Sequence, residues 1–267
     1  MPFFHQKIAW ITGASSGIGE ALAVELARQG ARLVLSARRE TELSRVAALT
    51  GLSAADVLIV PMDMTDEAAF NPAIEQIMNR FGRVDYVFQN AGISQRSPAI
   101  NTTMAVYRQL MEVDFFGVVG LTKAVLPVML KQGNGHFVVT SSVAGKIGVK
   151  QRSGYCASKH ALHGFFDALR AETVSAGLRV TMVCPGYVNT SLPLSALSAS
   201  GQPHNRMDDQ QANGMAADVC ARRIVRAVAN NKREFYVGGR EVFGIYLARF
   251  WPGKLFDMMA TRRGDGA

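Results

Sequence analysis

Tyr155 and Lys159 stand four residues apart in the stretch SGYCASKHAL, residues 153–162. Positions i and i+4 of a helix leave from the same face, so a phenol and an ammonium would share one small space. Ala157 and Ser158, between them, are small and leave that space open. A free phenol ionises near pH ~10, too high for rapid proton transfer near neutrality. A unit cation about 4 Å away, at an effective dielectric near 20, stabilises a phenolate by roughly 4 kcal/mol before desolvation opposes it. The pair is therefore a candidate proton donor and acceptor. The plainer reading, a solvated helix surface, holds unless the rest of the chain builds a site around it.

The elements that must position such a pair follow from patterning. A chain of 267 residues with 48% hydrophobic content can bury a full α/β core. No Pro/Gly/Ser-rich linker, repeat or low-complexity tract divides it, so residues 1–267 are expected to form a single domain. The β-branched runs KIAWIT, ARLVLSA, DVLIVP, VDYVF, GHFVVTS, LRVTMVC and REFYVG read as strands. Between them, residues 18–30, 40–51, 66–82, 104–133 and 155–177 carry apolar residues at helical spacing. This alternation predicts an α/β fold: a doubly wound, Rossmann-like parallel sheet of about seven strands, with helices on both faces. Ligands in such sheets sit beyond the carboxyl ends of the strands.

Most of the chemically informative residues fall at those ends. The first strand runs into TGASSGIG, which places Gly13, Ser15, Ser16 and Gly17 in a turn, with a helix starting near Ile18 and Gly19. Glycines let backbone amides approach a pyrophosphate, and the helix N-terminus adds partial positive charge. At the end of the second strand a carboxylate would hold a ribose 2′-hydroxyl, but position 37 is Ala, followed by Arg38 and Arg39. That favours NADP over NAD: Arg38 can clamp a phosphate, and Ser36 offers a hydroxyl. Asp63 and Met64 follow the third strand, where the carboxylate can meet adenine; Asn90, Ala91 and Gly92 follow the fourth.

Charge and cysteine usage exclude other classes. The balance of 29 Lys+Arg against 21 Asp+Glu gives +8, but the charges are scattered. The pairs Arg38–Arg39, Arg222–Arg223 and Arg262–Arg263 are not interleaved with stacking aromatics, so no nucleic-acid partner is expected. Cys156, Cys184 and Cys220 form no CxxC pair, which fits a reducing compartment. Cys156, His160 and His163 share a helix face with no carboxylate at helical spacing, so no metal site is expected there. The start MPFFHQKIAWITG is too short and too lightly apolar for a signal peptide, and no apolar run reaches the roughly 18 residues of a spanning helix. A soluble, cytoplasmic protein is expected.

Together TGASSGIG, NAG, the Ser-Tyr-Lys set and PG resemble the short-chain dehydrogenase/reductase superfamily, compact single-domain subgroup, over nearly the whole length. NTSLPLSALSASG, MDDQQANGM, NKREFYVGG and WPG further resemble its member 7 branch. The resemblance implies an NADP(H)-dependent oxidoreductase interconverting a carbonyl and a secondary or primary alcohol by hydride transfer, with Tyr155 as acid and base. By the same resemblance Lys159 hydrogen-bonds the nicotinamide ribose as well as tuning Tyr155. Ser142, thirteen residues before Tyr155, would hold the substrate oxygen. Ser141 would point elsewhere if the strand pleat persists. Pro185, Gly186, Val188 and Thr190 would border the nicotinamide, with Thr190 at its carboxamide. Asp114 stands where the family carries Asn; there the backbone carbonyl is the working group, so the exchange is expected to be tolerated.

Residues 187–216 are polar and long enough to be a substrate lid. The C-terminal segment 240–261 is amphipathic, with Phe243, Tyr246, Leu247, Phe250 and Trp251 on one stripe broken by Pro252. It would cover the pocket or meet another subunit; the competing use is peripheral membrane contact, aided by Arg262 and Arg263. The expected substrate is a small apolar carbonyl or alcohol, and the resemblance implies a homo-oligomer. Two alternatives stand beside this: a 3-oxoacyl-thioester reductase, and a non-catalytic NADP-binding sensor or scaffold.

Overall fold

The computed structural model describes residues 3–261. Successive residues of a strand point to opposite faces, and in the first strand both faces are covered. Ile8 and Trp10 enter one apolar core, Ala9 and Ile11 the other. A strand buried on both sides has to be apolar throughout, which is why these runs are unbroken rather than alternating.

The strands are β1 (Ile8–Thr12), β2 (Arg32–Ser36), β3 (Val57–Ile59), β4 (Tyr86–Gln89), β5 (Gly135–Thr140), β6 (Leu178–Pro185), β7 (Val188–Asn189), β8 (Met215–Ala216) and β9 (Glu234–Val237). Seven of them form one parallel sheet in the order β3-β2-β1-β4-β5-β6-β9, while β7 and β8 pair with each other. The helices are α1 (Gly17–Arg28), α2 (Glu40–Thr50), α3 (Phe70–Phe81), α4 (Met104–Met111), α5 (Gly117–Gln132), α6 (Ser153–Thr173), α7 (Asp209–Ala212), α8 (Ala217–Ala229), α9 (Phe243–Phe250) and α10 (Pro252–Thr261). α3, α5 and α6 pack their apolar stripes on one face of the sheet; α1, α2 and α8 cover the other.

The seven sheet strands expected from sequence are all present. α8, which the patterning left unassigned, supplies the crossover from β6 to β9; it buries Cys220, Ala221, Ile224, Val225 and Val228. A second difference concerns the central helix. α4 and α5 join through a π-helical turn, Glu112–Phe116, into one helical stretch, Met104–Gln132, of 29 residues. By length, and by a mean hydropathy of 1.7 over an 18-residue window within it, it could cross a membrane. In the fold its Val118, Leu121, Val125 and Met129 instead lie in the core under the sheet.

Register brings the strand ends level. Thr12 pairs with Ser36, Ile11 with Phe88, and Thr140 with Val183. The turns that follow these strands therefore open on one side of the molecule. The strand order reverses between β1 and β4, the point at which such sheets leave a crevice.

Candidate active site

That crevice is a continuous cleft of about 1650 Å³. It is lined by Gly13, Ser15, Ser16, Gly17, Ile18, Arg38, Arg39, Asp63, Met64, Asn90, Ala91 and Gly92 toward one end. Ser142, Tyr155, Lys159, Pro185, Gly186, Val188 and Thr190 continue the same wall. Of the site residues expected from sequence, Gly19 and Asp114 do not line it.

At the glycine turn, Gly13 has a φ of 64°, and a Cβ there would lie 2.8 Å from the Ala91 Cα. Only glycine combines that conformation with that approach. Gly19 has a packing role: a Cβ would overlap the Gly13 carbonyl and stand 2.7 Å from Asn90 Nδ2. Its bare Cα lets α1 close on the ends of β1 and β4. Thr12, which sequence reasoning missed, joins those ends. Its Oγ1 accepts hydrogen bonds from the backbone N–H groups of Asn90 and Ala91, each at 3.1 Å.

Beyond β2 the exposed Arg38 and Arg39 border the cleft. Ser36 also lines the cleft, but it is 1% exposed and its hydroxyl accepts from the Trp10 indole N–H at 2.8 Å. The cationic side chains, not this hydroxyl, are what this strand end presents. Asp63 lines the cleft with a carboxylate already accepting from Thr65 N–H and Oγ1, both at 2.9 Å.

Tyr155 and Lys159 come together on α6 as their spacing requires, and both are buried, at 8% and 4% exposure. The bland surface reading of the pair is thereby excluded. Lys159 Nζ lies 5.7 Å from the centre of the Tyr155 ring and donates to the Thr140 carbonyl at 3.3 Å. Ser142 begins a short turn after β5: its hydroxyl accepts from Ala144 N–H at 3.1 Å and donates to the Pro185 carbonyl at 3.4 Å. Ser141 turns the other way, as the pleat requires. Its hydroxyl donates to the Lys159 carbonyl at 3.2 Å and sits 3.0 Å from His163 Nε2.

Asp114 differs from the family's Asn in its side chain. Its side chain, not only its backbone, enters the site's structure. The π-helical turn buries it completely, and its carboxylate accepts from Ile93 N–H at 2.8 Å and Ser158 Oγ at 3.1 Å. The same carboxylate stands 3.9 Å behind Lys159 Nζ. Burial pushes the Asp114 carboxyl above the usual carboxylate range, while Lys159 and the two hydrogen bonds oppose that rise. Asp114 does not line the cleft and acts on it through Lys159 and the cleft-lining Ile93, so it is a positioning residue.

The segment expected as a lid runs along the other wall through Leu192, Leu194 and Leu197. A buried ion cluster pins it. Asp208 accepts from Arg96 Nε at 2.8 Å, from Arg96 Nη2, and from Arg152 Nη2 at 3.1 Å. Glu241 braces the turn after β6 by accepting from Tyr187 N–H and Gly239 N–H, each at 2.9 Å. Neither arrangement had a local signal, because Arg96 and Asp208 are 112 residues apart and Tyr187 and Glu241 are 54 apart.

The helix face of Cys156, His160 and His163 does not converge on one point. Cys156 Sγ accepts from Val149 N–H, and His160 Nδ1 faces the Cys156 carbonyl. Among the described residues, His163, Cys184 and Glu234 do bring donor atoms within 4.8 Å of one another. Glu234 is already paired to Lys146 at 2.6 Å and His163 to Ser141, so this cluster ties α6, β6 and β9 together behind the catalytic strand.

Comparison with known proteins agrees with this geometry. Residues 7–199 match the family model of the short chain dehydrogenases. The chain is 38% identical over 263 residues to a dehydrogenase/reductase SDR family protein 7-like of Drosophila melanogaster, covering 96% of this chain and 80% of that one. It is 38% identical over 251 residues to dehydrogenase/reductase SDR family member 7 of Homo sapiens, covering 92% and 74%. Among solved structures it is similar to a levodione reductase, with a TM-score of 0.76 and 26% identity over 90% of this chain and 99% of that one. With Ser142, Tyr155 and Lys159 gathered at the strand ends of this sheet, the chain belongs to the short-chain dehydrogenase/reductase family, oxidoreductases that interconvert carbonyls and alcohols by hydride transfer.

Proposed function

We propose that this protein is an NADP(H)-dependent reductase of a small, apolar ketone or related carbonyl, with Tyr155 as its acid and base. The observation that carries this reading is the single cleft in which the buried Tyr155–Lys159 pair, Ser142, the glycine turn and Arg38–Arg39 all meet. The cleft-lining glycine turn, whose Gly13 packs directly on the Ala91 backbone, and the cations beyond β2 fit a dinucleotide bearing a 2′-phosphate. Ser15, Ser16, Ile18 and Asn90 would hold the pyrophosphate end, Asp63 and Met64 the adenine, and Pro185, Gly186, Val188 and Thr190 the nicotinamide. When bound, the cofactor supplies the hydride for reduction or accepts it for oxidation.

The chain's own residues supply the rest. In reduction, the hydroxyls of Ser142 and Tyr155 hold the substrate oxygen, and the Tyr155 O–H gives it the proton that, with one hydride on carbon, completes the alcohol. Lys159 favours the phenolate left behind, and the Thr140 carbonyl fixes its ammonium. Apolar groups at the other end, among them Val149, Leu192, Leu197 and Trp251, favour an apolar substrate body. That a relative is a levodione reductase is in keeping with a ketone substrate.

The test is oxidation of NADPH and NADH measured against a panel of ketones, aldehydes and 3-oxoacyl thioesters, with Tyr155→Phe as the blank. Turnover with NADPH and a ketone, lost by at least about a hundredfold in the variant, is the expected result. Equal turnover by the variant would remove Tyr155 from the mechanism. A preference for thioesters would move the substrate class, and cofactor binding without turnover of any carbonyl would favour a sensor or scaffold.

A further inference from the structure

α9 and α10 form a hairpin bent at Trp251–Pro252. Ile245 and Leu255 are its buried side chains, and they dock on Val143 and Ile147, just after Ser142. The outward side carries Phe243, Tyr246, Phe250, Trp251, Phe256 and Met258, exposed between 51% and 72%. Isolated exposed apolar side chains are ordinary on a protein, but six from one hairpin, four of them phenylalanine or tryptophan rings, concentrate apolar surface there. Phe243, Tyr246, Trp251 and Met258 also line the cleft, so the same surface forms the rim through which an apolar substrate would enter.

From this we infer that the α9–α10 hairpin docks on an anionic lipid bilayer, its exposed rings entering the acyl boundary and the cleft opening toward the membrane. Charge selects the occupant. Among the described residues of this segment, Arg240, Arg249 and Lys254 are exposed against one exposed carboxylate, Asp257, because Glu241 is turned inward to Tyr187 and Gly239. Cations beside an aromatic face suit anionic headgroups. A symmetric pairing with a second copy would place the same patch on itself and bring like cations together. Arg262 and Arg263 would add to the charge by sequence but lie outside the described residues.

The experiment is flotation of the full chain with vesicles of phosphatidylcholine alone and of phosphatidylcholine with phosphatidylglycerol. The variant is Phe250→Ser with Phe256→Ser, since neither ring lines the cleft. The wild type is expected to float with the anionic vesicles, less so in high salt, with a blue shift of emission from the exposed Trp251. The variant is expected to lose at least about tenfold in vesicle binding while keeping its melting temperature and its turnover of a water-soluble carbonyl. A wild type that stays unbound with both vesicles, or a variant that floats equally well, overturns the inference. So does light scattering that shows a dimer which this variant splits while vesicles bind neither form; the occupant is then a second copy. Vesicle binding is read without turnover, so it stands or falls apart from the proposed reductase activity.

Discussion

Asp114 puts a carboxyl group 3.9 Å behind the ammonium of Lys159, where the resemblance calls for an amide. The two side chains have the same shape, and the hydrogen bonds from Ile93 N–H and Ser158 Oγ orient Asp114 from one side, of which an amide can keep the one made to its oxygen. Asp114→Asn is therefore expected to hold kcat/KM within about tenfold of the native value, most of the change coming from the charge facing Lys159. Complete inactivity would contradict this. Stability should respond more plainly. Because burial raises the native pKa of Asp114, its contribution is whole below the unfolded value near ~3.9 and is lost as pH rises through the native value. The native protein's melting temperature should thus fall relative to the Asn variant's as pH rises out of the acid range; a constant difference would show that the group carries no burial cost. Arg38 makes a separate prediction. Arg38→Ala removes a charge-assisted partner of a 2′-phosphate, so NADPH affinity should fall about tenfold to a hundredfold with NADH nearly unchanged. Equal loss for both dinucleotides, measured by titration of reduced-nicotinamide fluorescence, would move the phosphate contact elsewhere.

At the level of elements, the segment over the substrate end is fastened rather than loose. β7, β8 and α7 lie within it, and Asp208, one residue before α7, is locked between Arg96 and Arg152. All three side chains are buried, so removing the one carboxylate leaves two largely buried guanidinium groups without the counter-charge they share. Asp208→Asn should cost about 3–5 kcal/mol and lower the melting temperature by on the order of 10 °C, with the segment 191–216 becoming the first site of proteolysis. Cleavage elsewhere first, at an unchanged melting temperature, would show that the cluster does not hold the segment. None of this was legible as sequence, where 187–216 reads only as a polar segment long enough to be a lid. α8 is a different case: Cys220, Ala221, Ile224, Val225 and Val228 repeat at helical spacing, so its signal was present and lay hidden behind the polar run before it. Gly19 shows the reverse. Its identity was legible and its packing role was not, because the carbonyl it makes room for becomes a neighbour only when α1 packs on the sheet.

For the whole molecule, two buried histidines contribute to the response to acid. Burial, with Arg179 in support, holds His136 down to about 3; burial, with Lys146 in support, holds His163 to about 4. Both rings stay neutral in the native state but take up protons near pH ~6.5 when unfolded. Their stabilisation is therefore complete above about pH 6.5 and drains away as pH falls toward 4, at up to about 1.4 kcal/mol per pH unit for each ring. His136→Gln, which keeps a hydrogen-bonding group beside Thr181, should reduce that slope in urea titrations between neutral and acid pH; an unaltered slope would assign acid sensitivity to other groups. The chain by itself determined the parallel sheet, the glycine turn, the Tyr155–Lys159 pair and the cations after β2. Each of these is written in neighbouring residues or in a short period, and the backbone geometry of a strand or helix converts such patterns directly into position. Only the tertiary structure decided that Asp114 stands behind Lys159, that Asp208 joins Arg96 to Arg152, and that the C-terminal rings rim the cleft. Those facts depend on which distant segments the packed sheet brings within a few ångströms, and close packing over long sequence separations leaves no local trace in the chain.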